Sequence, residues 1–289
     1  MAMDILHIPA LRNPVMLCAF AGWNDAAEAA SGALEHVLEL LGAEDNAVVS
    51  TLIAEIDSDE YFDFQVNRPQ VSLDEFDNRS ITWPSTQIFG VSVPSFPRDL
   101  VIVTGIEPST HWKAFVREVL DLADDLEVSL IIAIGSLLAD VPHSRPISVG
   151  ISATHPALAK DLGLEISRYK GSTGILGVIN DGALRRGIDA ISMWAAIPHY
   201  ASNAPSPKAS LALIHTIEDF LEVTIPQGDL PHQADEWEKE IDTLALEDSD
   251  VADYVKSLEE SKDAQDLPEV SGETIAKEFE RYLRRNDQS

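Results

Sequence analysis

Apolar positions along the chain fall into two kinds of run. Val15–Ala21, Leu100–Gly105 and Leu130–Ile134 are short and almost continuously apolar, the pattern of strands covered on both faces. Ala47–Ala54, Ile147–Ile151 and Ala190–Ile197 are predicted as further strands. Between them, apolar residues recur at helical spacing. Ala26, Ala29, Ala30, Ala33, Val37, Leu40 and Leu41 form one stripe, with Asn24 or Asp25 as N-cap and Gly42 as C-cap. Its many alanines predict close packing on a sheet. Phe115, Val119, Leu122 and Leu126 form a second stripe, capped by Thr110. Ser206–Val223 reads as an amphipathic helix with Pro207 in its first turn. Ile81–Trp83 and Gln87–Val93 are separated by Pro84 and Ser85 and read as an antiparallel addition. Strands alternating with helices predict an α/β fold, a mostly parallel mixed sheet covered on both sides.

The pattern changes at Thr224–Gly228, where Pro226 and Gly228 break the preceding helix. Residues 1–225 are expected to form the α/β domain and residues 226–289 an acidic helical extension. Three helices are predicted there, Gln233–Leu246, Asp250–Glu260 and Gly272–Arg285, with Ser261–Glu269 as a polar linker. Trp237, Ile241 and Leu244 make one apolar stripe. Val251, Tyr254, Val255 and Leu258 make another, and Ile275, Phe279, Tyr282 and Leu283 a third. Such a stripe is buried against its own core or a neighbouring subunit.

Charge narrows the partners. The 289 residues hold 49 acids and 20 bases, a net charge of −29, and Gln227–Ser289 alone has 19 acids and 7 bases. Phosphate backbones and anionic membrane surfaces need clusters of Lys and Arg. Only short pairs such as Arg185-Arg186 and Arg284-Arg285 occur, so neither nucleic acid nor membrane is an expected partner. The charge confers solubility and self-repulsion. Salt adaptation and a basic protein partner are the other readings. Cys18 is the sole cysteine, so no intrachain disulfide can form, which fits a reducing compartment. No basic-then-apolar leader is evident at the N-terminus, and the apolar stretch Leu130–Ala139 is far shorter than the roughly 20 residues that span a bilayer. A soluble cytoplasmic protein is expected.

Chemistry is sought at strand ends, where open α/β sheets bind ligands. Gly22-Trp23-Asn24-Asp25 follows the first strand and opens a helix, where exposed N–H groups can hold an anion. A single glycine is not a phosphate loop, and GxGxxG and GxxxxGK[ST] are both missing. Ordinary turn chemistry is the competing reading. Glu107 ends another strand. Asp57, Asp59, Glu60 and Asp63 form an acidic stretch without the glycine and spacing of an EF-hand, and a solvated loop packing Tyr61, Phe62 and Phe64 explains it better. His143 and Arg145, between Pro142 and Pro146, can bind a carboxylate or phosphate, or pin the loop. His199 and Tyr200 follow the Ala190–Ile197 strand. His143, His155 and His199 lack metal-binding spacing, so no metal or other cofactor is expected. Ser136, His143 and Asp140 make a hydrolytic triad only on paper, since no GxSxG elbow exists. Gly171, Gly174 and Gly177 lie in the one glycine-rich segment, Lys170–Gly177, which lacks the end of a P-loop. Close backbone packing is its simpler reading.

Five stretches taken together resemble one family. They are AGWNDAAEAA (Ala21–Ala30), DSDEYFDFQVNRP (Asp57–Pro69), LLADVPHSRP (Leu137–Pro146), YKGSTGILGV (Tyr169–Val178) and SMWAAIPHYASNAPSPKASLAL (Ser192–Leu213). In order, over residues 12–225, they resemble the proteasome assembly chaperone 2 family in its bacterial, actinobacterial branch. The resemblance implies a three-layer αβα fold similar to purine nucleoside phosphorylases and their hydrolase relatives. It implies homo-oligomers, trimers in this branch, and a non-enzymatic assembly role like that of eukaryotic relatives. Those chaperones dock through a terminal hydrophobic-Tyr-X pattern, which Arg285–Ser289 lacks. Two functions are thereby expected. The first is a homo-oligomeric protein-interaction factor that meets an unknown protein partner through the acidic helices. The alternative, by fold analogy alone, is a nucleoside-like small-molecule binder, hydrolase or phosphorylase using the strand-end residues.

Overall fold

A computed structural model describes residues 3–43, 48–56, 58–247 and 249–266. The strands are β1 (Met3–Ile5), β2 (Val15–Ala21), β3 (Val49–Ile56), β4 (Gln70–Leu73), β5 (Arg79–Thr82), β6 (Thr86–Ser92), β7 (Leu100–Ile106), β8 (Leu130–Ala139), β9 (Val149–Ala153), β10 (Glu165–Ile166) and β11 (Asp189–Pro198). The helices are α1 (Ala29–Ala43), α2 (Ser58–Tyr61), α3 (Trp112–Asp125), α4 (Pro156–Leu162), α5 (Ile175–Arg186), α6 (Pro207–Leu221), α7 (Leu230–Glu247) and α8 (Ser249–Asp266).

Nine strands form one sheet in the order β1-β3-β6-β7-β2-β8-β11-β9-β10. The centre, β7-β2-β8-β11, is parallel, while β6, β3 and β1 extend it antiparallel on one side and β9 on the other. The alternation of side chains in a strand divides the core in two. Val15, Leu17 and Ala19 of β2 join a cluster with Ala30, Ala33 and Val37 of α1 and Leu213 and Ile217 of α6. Met16, Cys18 and Phe20 face the other way, against Phe115 and Val119 of α3 and Ile179 of α5. The fold is thus the expected three-layer αβα arrangement around a mixed sheet. The helices within each layer approach closely. A methyl group on Gly182 of α5 would stand 2.7 Å from Leu120 of α3, and Ser210 Oγ of α6 donates to the carbonyl of Ala29 at 2.9 Å.

Several local expectations are corrected. Ile81–Trp83 does not pair with Gln87–Val93. β5 instead pairs with β4 as a separate two-stranded ribbon, and β6 inserts between β3 and β7. α1 runs through Gly42 to Ala43. The residue before α3 is His111, in the left-handed region at φ 53°, while Thr110 Oγ1 donates to the carbonyl of Glu60 instead. α8 continues through Ser261 to Asp266, where a linker was predicted. The predicted helix Gly272–Arg285, and with it the third apolar stripe, lies outside the described residues. In α7 the buried residues are Leu230, Ala234, Trp237 and Ala245, and Leu244 is exposed.

An ion pair between half-exposed Arg12 and buried Asp99 lies at the other end of the sheet, before β2 and β7. Asp99 accepts from the Arg12 backbone N–H at 2.7 Å, from its Nη2 at 2.6 Å and from Ser92 Oγ at 3.0 Å. Burial pushes the Asp99 carboxyl up, but these donors outweigh it and hold it below the usual carboxylate range. A carboxyl depressed in the folded state stabilises above its unfolded pKa and loses that contribution as pH falls through the folded value. Urea midpoints measured from about pH 5 downward are therefore expected to fall more steeply below about pH 4 for the wild type than for Asp99→Asn.

Candidate functional site

The four parallel strands end at one edge of the sheet, so the segments following them stand in strand order. Glu107 follows β7, Gly22–Asp25 follow β2, Asp140–Arg145 follow β8, and His199–Tyr200 follow β11. This placement divides the candidate residues into two groups.

The first group is a sealed junction. Asn24 is buried, and its Nδ2 donates to Glu107 Oε1 at 2.9 Å. The same oxygen accepts the Ile175 N–H at 2.8 Å. Glu107 therefore caps the first turn of α5 from a distance, placing a carboxylate where the helix presents unpaired donors. Gly174 sits before Ile175 with ordinary extended backbone, φ −93° and ψ −173°. Its need is space: an added Cβ would stand 2.0 Å from Asn24 Nδ2. Gly22 has φ 139° and lets the chain turn above Glu107. Asp25 is the helix cap. Its Oδ1 accepts the Ala30 N–H at 2.7 Å and its Oδ2 the Ser31 Oγ–H at 2.5 Å. Burial raises the Asp25 carboxyl above its ordinary value, opposed by the donors of Ser31, Ala30 and Ser136. The Trp23 side chain stands out from this turn, 64 % exposed. Gly171 is exposed beside Tyr169, whose Oη donates to the carbonyl of Ser172 at 2.7 Å.

The second group holds the C-terminal helices. His143 is 1 % exposed. Its Nδ1 and its backbone N–H both meet Tyr200 Oη, at 2.9 and 2.8 Å, and its Nε2 meets Asp242 Oδ1 of α7 at 3.0 Å. Its carbonyl accepts Lys208 Nζ at 2.5 Å, and Lys208 also pairs with Glu238 of α7. Arg145 forms two parallel bonds to Asp263 of α8, each 2.8 Å, and pairs with Glu259, which also accepts from Ser144. This fork holds the Asp263 carboxyl low. Tyr254 of α8 donates to Asp140 at 2.7 Å and stacks edge-on against Tyr200 at 6.1 Å between ring centroids. His199 Nε2 lies 3.6 Å from Asp140. Tyr200 ionises only at about 12, raised first by burial.

The paper triad is therefore not assembled. Ser136 Oγ donates to the carbonyl of Ala26 at 2.9 Å, Asp140 holds Tyr254, and His143 holds Tyr200 and Asp242. Among the described residues no group of three His, Cys, Asp or Glu is placed to hold a metal ion, and no helix is long and apolar enough to cross a membrane.

One cavity of about 610 Å³ opens beside the first group. Trp23 and Asn24 line it, with Ser192 and Trp194 of β11, Ser152 of β9, Tyr169, and Asn180 of α5. Of its lining, sequence reasoning singled out Trp23 and Asn24, Ser136 in the triad that is not assembled, and the glycine-rich segment through Gly177. The missed signal is in β11, where Ile191, Met193 and Ala195 alternate with Ser192 and Trp194, a period-two pattern that sets a polar and aromatic face against an apolar one. The partners of His143 and Arg145 were also missed. Glu259 and Asp263 are four residues apart on α8, the spacing that puts both on one face.

Comparison with known proteins places the chain. The model of the PAC2 family matches residues 19–245. A PAC2 family protein from Streptomyces avermitilis is 45 % identical, with 84 % of this chain and 99 % of that one covered and a TM-score of 0.76. A proteasome-assembly chaperone homologue from Mycobacterium tuberculosis is 41 % identical, with 83 % and 99 % covered and a TM-score of 0.73. Both organisms are actinobacteria, the branch expected from the sequence. An archaeal proteasome activator from Pyrococcus furiosus shares the fold at 17 % identity, with 84 % and 97 % covered and a TM-score of 0.66. No protein with a curated description matches the chain. With most of its length matched, the chain belongs to the PAC2 family.

Proposed function

We propose that this protein is a non-enzymatic, cytoplasmic assembly factor that works as a homo-oligomer, a trimer, and engages a protein partner through its acidic C-terminal helices. Its likeness to a proteasome-assembly chaperone homologue points to proteasome subunits as the partner. The observation that carries the self-association is the ribbon β4–β5. All eight strand residues are exposed. Val71 lies opposite Ile81 and Leu73 opposite Arg79, so these four share a face, while Ser72 and Ser80 bond to each other on the reverse. Phe76 at the tip is 76 % exposed. A lone two-stranded ribbon is marginal in water, and an apolar exposed face marks an interaction site. Arg79 is the only charged residue in its strands, so the face escapes the self-repulsion that a net −29 imposes elsewhere.

Light scattering tests this. The wild type is expected at a multiple of 31.6 kDa, and Leu73→Ser with Ile81→Ser at that of one chain. A monomeric wild type, or an unchanged mass in the double variant, removes the ribbon from the proposal. The partner is tested by co-elution with proteasome α-subunits of the same organism, with and without residues 227–289. Against the catalytic alternative, the hydroxyls at the strand ends are engaged in the fold: Ser136 Oγ donates to the Ala26 carbonyl at 2.9 Å, and Tyr200 Oη is held by His143, whose other nitrogen meets Asp242.

A further inference from the structure

The cavity beside Trp23 combines aromatic rings with a buried, unpaired amide oxygen. On the α3/α5 side of the sheet, the central strands present Val101, Val103, Ile131 and Ala133 to the helices. At β11 and β9 this face changes character. Ser192 pairs in register with Ser152, and Trp194 with Gly150 on β9 and Gly135 on β8. The Trp194 ring lies over Gly135, since a methyl there would stand 2.6–2.9 Å from three of its ring atoms. Glycine thus leaves room for an aromatic floor. Trp23 and Tyr169 add two more rings at the rim, both largely exposed.

The polar groups specify what fits. Asn180 Nδ2 donates to Ser192 Oγ at 2.8 Å, and its Oδ1 is buried with no partner. A buried amide oxygen left unpaired costs free energy, so the site awaits a donor. Hydroxyls of Ser152, Thr154, Ser167 and Ser192 surround it. Among the described residues no Lys, Arg or His lines the cavity, and the one carboxylate that does, Asp181, is paired with Arg185 at 2.9 Å. No cationic side chain among the lining residues pairs with a phosphate or carboxylate. The volume of about 610 Å³ suits a compact small molecule.

We propose that this cavity binds an uncharged heteroaromatic compound bearing hydroxyls, the nucleoside class, with its ring on Trp194 and an N–H donated to Asn180 Oδ1. The proposal is independent of the assembly role and includes no chemical step.

Adenosine, guanosine, cytidine and uridine are titrated into the full chain up to about 1 mM, followed by calorimetry and by tryptophan fluorescence. At least one is expected to bind saturably. Its 5′-monophosphate should bind about ten-fold more weakly or worse, for want of a cation. Asn180→Leu should weaken the nucleoside by about ten-fold or more, and Trp194→Leu should abolish binding, with light-scattering mass and circular dichroism unchanged. Trp194→Phe keeps a ring and is expected to retain part of the affinity, which guards against simple misfolding. No saturable binding by any of the four, binding indifferent to Asn180→Leu, or monophosphate binding as tight as nucleoside would overturn the assignment. So would a changed mass in these variants without nucleoside binding, which would make the cavity a subunit contact.

Discussion

Gly174→Ala is expected to lower the melting temperature by roughly 6–12 °C, for a loss of about 3 kcal/mol. The backbone at Gly174 suits any residue, so the cost is not conformational. It comes from a methyl placed 2.0 Å from Asn24 Nδ2. Asn24 must retreat, and Glu107 loses a donor at 2.9 Å while it still holds the start of α5. One carboxylate oxygen ties the ends of β2 and β7 to α5, so strain at this point spreads to three elements. Urea denaturation with an unchanged slope would show that stability alone has moved. Truncating the obstacle should help: Asn24→Ala combined with Gly174→Ala should lose less than the two changes added together, because they share one space. Additive losses would show that the crowding has been misplaced.

His143→Ala is expected to release α7 and α8 while the sheet stays folded. The imidazole is buried and bonded on both nitrogens. Removing it opens a void and unpairs Tyr200 and Asp242, a loss of about 3 kcal/mol. Where opening is fast relative to cleavage, proteolysis follows the open population, so cutting within residues 230–266 should accelerate by about 100-fold. Arg145→Ala should have a smaller effect, and one sensitive to salt, because its partners on α8 are open to solvent. Equal protease resistance in His143→Ala would mean that Trp237 and the rest of the α7 stripe suffice to hold the helices.

The sheet was legible because strand burial writes itself as apolar runs. Val15–Ala21 and Leu130–Ile134 needed no long-range knowledge. β5 was misassigned because Pro84 and Ser85 look like a hairpin turn, and only tertiary context separates Ile81 from Gln87. The strand-end residues were found because parallel strands deliver their following turns to one edge. Which of them would face a ligand was not legible. Glu107 meets Ile175 across 68 residues of chain, and Arg145 meets Asp263 across 118, distances at which spacing carries no signal. The glycine-rich segment divides between two surroundings. Gly174 serves packing, while the neighbouring Thr173 and Gly177 line the cavity.

The nine-stranded sheet ends in stubs. β1 offers three residues on one side and β10 two on the other. Long bare edges invite strand addition, the route to fibrils and open-ended stacking. Neither stub offers more than a few backbone groups to another strand. In the proposed trimer, copies join through side-chain faces, a geometry that can close into a ring and so stop growing.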